Sequence, residues 1–91
     1  MGKEGNMAEE QVGKVVKFFA KPQVAAIEVT KGEIKKGDTI RIVGHTTDFT
    51  MEITSMEIDN QKVERASLGQ FVGIKVPERV REGDEVFRIS D

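Results

Sequence analysis

The chain has 91 residues, no cysteine and a formal net charge of −2. That length predicts one domain. The missing thiols exclude a disulfide framework and a thiolate metal site, and no apolar run is long enough for a membrane-spanning helix. Val and Ile outnumber Leu by 19 to 1, which favours strands, because β-branched side chains suit a pleated surface better than a helix. No secretory leader pattern opens the sequence, so the expected compartment is the cytoplasm.

Residues 1–10 hold little to bury and are expected to form a disordered tail ahead of a single domain over residues 11–91. Gln11 to Ala20 reads as a first strand, closed by the Lys21-Pro22-Gln23 turn, where Pro presets φ. Val24 to Val29 returns with Ala25, Ile27 and Val29 on one face. Asp38 to Val43 is a third strand, with Ile40 and Ile42 inward and Arg41 outward. Phe49 to Ile58 is a long fourth. Its inward set begins Phe49, Met51, Ile53 and then slips phase to Met56 and Ile58, which predicts a bulge near Thr54-Ser55. Asp59 to Gly69 is a polar connection pinned by Val63 and Leu68. Phe71 to Val76 is the fifth strand, ended by Pro77, which cannot donate to a ladder. Glu85 to Ile89 is the sixth. The expected core is Val16, Ala25, Ile27, Val29, Ile40, Ile42, Met51, Ile53, Val72, Ile74 and Val86.

Two heptads are near-copies: Ile34-Lys35-Lys36-Gly37-Asp38-Thr39-Ile40 and Val80-Arg81-Glu82-Gly83-Asp84-Glu85-Val86. Each joins a β-branched anchor to a charged pair, a Gly able to take φ > 0, an Asp able to hold the turn, and an apolar strand. Six short strands with such punctuation predict an all-β fold, and a closed six-stranded barrel, which leaves no open edges.

With Val12-Gly13-Lys14-Val15-Val16, Gly32 to Ile40, Ala66-Ser67-Leu68-Gly69-Gln70-Phe71-Val72-Gly73-Ile74 and Val80 to Val86 in this order, the chain resembles the β-barrel second domain of GTPase translation factors such as elongation factor Tu. It is also similar to a barrel at the C-terminus of U32 peptidases. The resemblance implies a six-stranded Greek-key barrel that contacts RNA or a translation-related protein, or serves as an accessory interaction module of a peptidase. No G-x-x-x-x-G-K-[ST] phosphate loop is present, so no nucleotide is expected to bind this chain alone.

The residues point away from catalysis. His45 is the single histidine, and its neighbour Asp48 has no nucleophile beside it, whereas a nucleophilic site needs nucleophile, base and orienting group together. One His without Cys supplies no metal-ligand spacing, and no cofactor is expected. Two binding readings remain. Lys14, Lys17, Lys21, Lys31, Lys35 and Lys36 make residues 11–36 basic and would meet the phosphates of structured RNA if the fold gathers them. Against this, Lys14 and Lys17 fall on opposite faces of a regular strand, and the Phe residues read as core, leaving no stacking platform. For a protein partner the candidates are His45, Thr46 and Thr47, in the loop opened by Gly44, and Phe71, whose alternation with Val72 and Ile74 turns it outward.

Overall fold

A computed structural model describes residues 8–90, all of whose regular structure is strand. The strands are β1 (Ala8–Phe19), β2 (Val24–Val29), β3 (Glu33–Lys35), β4 (Thr39–Val43), β5 (Asp48–Glu52), β6 (Met56–Ile58), β7 (Gln61–Val63), β8 (Arg65–Ser67), β9 (Phe71–Lys75) and β10 (Glu85–Ser90). Eight form one antiparallel sheet in the order β5-β4-β10-β1-β2-β9-β6-β7, and β3 pairs with β8 as a separate ribbon. Among the described residues no ladder joins β5 to β7, so these ladders do not amount to the closed six-stranded barrel expected from the sequence. Along the chain the ribbon strands flank these two ends: β3 runs into β4, the neighbour of β5, through Gly37-Asp38, and β8 follows β7. Among the described residues no helix is long and apolar enough to cross a membrane.

The alternation read from the sequence places most of the core. Ala25, Ile27, Val29, Ile40, Ile42, Ile53, Val72, Ile74 and Val86 are buried, and Met51 packs against them half-buried. Val16 departs from expectation. Val15 pairs with Ile27 and Lys17 with Ala26, so Val16 is an extra residue bulged out of the β1–β2 ladder. Val12 and Val15 take the core positions instead. At Thr54-Ser55 the phase slip marks a break rather than the expected bulge: β5 ends at Glu52 on β4 and β6 starts at Met56 on β9.

The expected tail overlaps β1. Ala8, Glu9 and Glu10 pair with Ser90, Ile89 and Arg88, because β10 offers them a complete ladder; residues 1–7 lie outside the described part. The polar connection after β6 also carries structure. Asp59 and Asn60 both take positive φ (52° and 66°) between the paired Ile58 and Gln61, the geometry of a two-residue type I′ hairpin. Val63 packs on the core as anticipated, but Leu68 does not pin the loop and is 64% exposed.

The two Gly-Asp heptads fold alike. The Lys35 N–H donates to Asp38 Oδ2 (2.8 Å) and the Asp38 N–H to the Lys35 carbonyl (3.0 Å). The Arg81 N–H donates to Asp84 Oδ2 (2.9 Å) and the Asp84 N–H to the Arg81 carbonyl (3.0 Å). Gly37 and Gly83 sit at φ 95° and 92°, at the third position of a type II turn, where a side chain would be strained. A third copy uses an amide. The Ser67 N–H donates to Gln70 Oε1 (2.7 Å), the Gln70 N–H to the Ser67 carbonyl (3.0 Å), and Gly69 has φ 89°.

Candidate binding surface

The bulge at Val16 decides what the outer face of the sheet carries. Before it Lys14 faces out and Val15 in; after it Lys17 faces out, Phe18 in and Phe19 out. Lys14 and Lys17 therefore share one face, contrary to the regular-strand expectation. Three cross-strand rows follow from the register. Lys14, Glu28 and Phe71 form one; Lys17, Ala26, Gly73 and Glu57 the next; Phe19, Val24 and Lys75 the third. Ala26 and Gly73 are small, so the middle row is a trough between the outer two. The groove over this face measures about 550 Å³ and includes Phe19, Phe71 and Pro22, with Glu57, Asp59 and Asn60 at one end.

Phe71 is 55% exposed, as its alternation required, and Phe19 is 43% exposed. Phe19 was not singled out in the sequence, because the Val- and Phe-rich first strand reads as uniformly core-forming until the bulge is placed. Lys17 Nζ lies 5.3 Å from the centre of the Phe19 ring, a cation–π contact.

The six lysines are all exposed but are not gathered. Lys17 and Lys21 lie toward the β1–β2 turn. Lys31 lies at the far end of β2, where its N–H reaches the Val12 carbonyl. Lys35 and Lys36 belong to the ribbon and its corner, with Lys36 Nζ 4.0 Å from Glu64. Opposite ends of β2 are about 17 Å apart at strand rise, so one compact phosphate patch does not form.

The β4–β5 loop is closed by a Gly44 N–H bond to the Thr47 carbonyl (2.7 Å). His45 and Thr46 are exposed, and Thr46 Oγ1 accepts from Arg81 Nε (3.0 Å). Thr47 is only 5% exposed, so as a protein contact it is corrected: its side chain is buried. Below the loop, Arg41 Nε and Nη2 donate to the two Asp48 oxygens at 2.9 Å, and Nη1 reaches Glu9 at 3.3 Å. The hydrogen bond from Arg41 holds the Asp48 carboxyl below its usual range. A depressed carboxyl stabilises the fold above its unfolded-state value and loses that contribution as pH falls through the native one. Asp48→Asn should therefore melt earlier than the parent at neutral pH, with the gap closing in strong acid. Thermal melts across that range check this, and a gap that persists in acid would contradict it. Among the described residues no three His, Cys, Asp or Glu side chains converge to hold a metal.

The fold and this surface define a small all-β domain with two exposed aromatic rings on a mixed-charge sheet face. Residues 23–87 match the family described as Elongation factor Tu domain 2, and the chain belongs to that family. It is 41% identical over 92 residues to an uncharacterized protease of Methanocaldococcus jannaschii, covering 97% of this chain and 22% of that protein. It is 38% identical over 80 residues to a collagenase of Porphyromonas gingivalis, covering 87% of this chain. The chain thus spans 22% of the length of each. In fold it matches the crystal structure of the C-terminal domain of a Geobacillus thermoleovorans protein assigned as a U32 peptidase, with TM-score 0.80, 19% identity, and coverage of 90% of this chain and 93% of that domain. GDP-bound aIF5B from Aeropyrum pernix matches with TM-score 0.59 and 20% identity, over 88% of this chain and 14% of that one.

Proposed function

We propose that the chain is a non-enzymatic binding module whose outer sheet face docks a protein partner, in the manner of an accessory domain of U32-type peptidases. The observation that carries this is the pairing of two exposed rings, Phe19 and Phe71, across a trough floored by Ala26 and Gly73. Exposed aromatics around small residues are the usual anchors of a protein interface. The protease relatives, of which this chain matches about a fifth, support a partner of that kind. We read the sheet and the β3–β8 ribbon together as a barrel of the translation-factor type, a reading supported by the family match.

RNA is the competing occupant. The lysines are dispersed, and Glu28, Glu57 and Asp59 share the face with the rings and offset Lys14, Lys17 and Lys75 there, so phosphates would find no net attraction. The test mixes this chain with the M. jannaschii protease lacking its matching domain and follows complex formation by calorimetry. Binding that Phe71→Ala weakens about tenfold or more is expected. Absence of a complex, alongside salt-sensitive binding of single-stranded RNA lost in Phe71→Ala, would transfer the face to nucleic acid.

A further inference from the structure

Strand β5 has a neighbour on one side only. Residues 53–55 join it to β6, but β5 pairs with β4 and β6 with β9, far apart in the sheet order. The bonds that bracket the β4–β5 ladder fix which backbone groups are left over. At one end the Gly44 N–H donates to the Thr47 carbonyl (2.7 Å) and the Thr47 N–H to the Gly44 carbonyl (3.4 Å); at the other the Ile53 N–H donates to the Asp38 carbonyl (2.9 Å). Bonded pairs recur at every second residue of an antiparallel ladder, so Phe49 and Met51 turn their N–H and C=O groups to β4. Asp48, Thr50 and Glu52 aim theirs the other way, and among the described residues no backbone partner meets them there. All three residues are exposed. The open edge thus presents a donor and an acceptor at each of these residues, at the spacing of a strand.

Three outward rows run into this edge. Lys14, Glu85, Val43 and Asp48 form one; Gln11, Phe87, Arg41 and Thr50 the next; Glu9, Ile89, Thr39 and Glu52 the third. Arg41 already holds Asp48 and Glu9, and Lys14 stands three strands back from the edge. Lys36, at the corner bonded to Ile53, is 4.0 Å from Glu64. Glu52 enters no ion pair among the described residues. The edge is therefore acidic, most of all at Glu52. On its inner side Phe49 and Met51 pack against the core yet stay half-buried. We infer that the β5 edge takes up an extended segment of a protein partner as an added strand, with a basic residue opposite Glu52 and apolar residues opposite Phe49 and Met51. An extended backbone is the occupant that matches a row of free donors and acceptors at strand spacing, and a Lys or Arg opposite a carboxylate is a favourable cross-strand pair. A second copy of β5 is a poorer match: antiparallel pairing about Thr50 sets Asp48 against Glu52 twice, and like charges directly opposite are destabilising.

No residue of β4 or β5 lines the Phe19–Phe71 groove, so the edge and the groove are tested independently. The probe is a fluorescein-labelled peptide with the sequence Lys-Val-Thr-Val-Lys, its Thr to face Thr50 beside Arg41; the control has Glu in place of both Lys. Fluorescence anisotropy with the full chain at low ionic strength should show the basic peptide binding about tenfold more tightly, with the preference shrinking as salt is raised. Two further peptides carry N-methyl groups, one on Lys, Thr and Lys, which face the open groups of Asp48, Thr50 and Glu52, the other on the two Val. The first should lose binding about tenfold or more and the second keep it. Thr50→Pro removes a donor that serves no ladder and puts its ring where the added strand would pair, so it should abolish binding while melting close to the parent. Glu52→Lys should reverse the preference between the basic and acidic peptides, a readout that stands if the proline variant fails to fold. Phe71→Ala should bind the peptide as the parent does. Equal binding of the Lys and Glu peptides, no binding at millimolar concentration, indifference to which residues are N-methylated, or loss of binding in Phe71→Ala overturns the added strand. If the peptides fail while the Phe71-dependent complex with the protease persists, the added strand is discarded and the docking face stands. Concentration-dependent dimerisation abolished by Thr50→Pro would instead give the edge to a second copy.

Discussion

Gly44→Ala is expected to destabilise the domain by about 3 kcal/mol, read as a lower urea midpoint with unchanged slope. A Cβ at Gly44 would overlap the Asp84 carboxylate, whose Oδ1 lies well inside contact distance. Asp84 has nowhere to retreat. It is 5% exposed, its Oδ2 holds the Arg81 N–H at 2.9 Å, its carbonyl accepts from Val15 at 2.8 Å, and its own N–H reaches the Arg81 carbonyl at 3.0 Å. Moving it loosens the corner before β10 and its attachment to β1 together. The double variant Gly44→Ala/Asp84→Ala removes the overlap, so it should lose less than the sum of the two single changes. A cost for Gly44→Ala below about 0.5 kcal/mol would show that the corner yields freely.

Ile42→Ala and Ile74→Ala should each cost about 2–5 kcal/mol, a large share of the stability of a domain this small. Ile42 is fully buried on β4 and Ile74 is 1% exposed on β9, so each truncation leaves a void that the surrounding strands fill only in part. Leu68→Ala provides the contrast. It removes a comparable side chain from a position 64% exposed and should be close to neutral. Chemical unfolding of the three variants under one set of conditions makes the comparison; similar values for Leu68 and Ile74 would mean that the inward face is misassigned.

Much of the fold is legible in the alternation of Ile and Val. Ala25-Ile27-Val29, Ile40-Ile42 and Val72-Ile74 keep strict period 2 along strands that carry no inserted residue themselves, so composition and geometry agree. The slip after Ile53 likewise marks the strand break. Val16 is illegible for the complementary reason: Val12, Val15 and Val16 are equally apolar, and only pairing with Ile27 and Ala26 shows which one is extra. That ambiguity hid Phe19 and set Lys14 and Lys17 on opposite faces, so the candidate surface was half visible, through Phe71 alone. The β3, β7 and β8 strands span three residues each, too few for a period to declare itself, although Ile34 and Ala66 bury one face of their ribbon. Thr47 is small and polar, so residue type does not reveal that its side chain is buried.

β10, the last strand among the described residues, lies between β4 and β1 in the sheet. Without residues 85–90 the edges of β4 and β1 that pair with β10 would be left open. A chain lacking that strand would be exposed to intermolecular strand pairing at both edges.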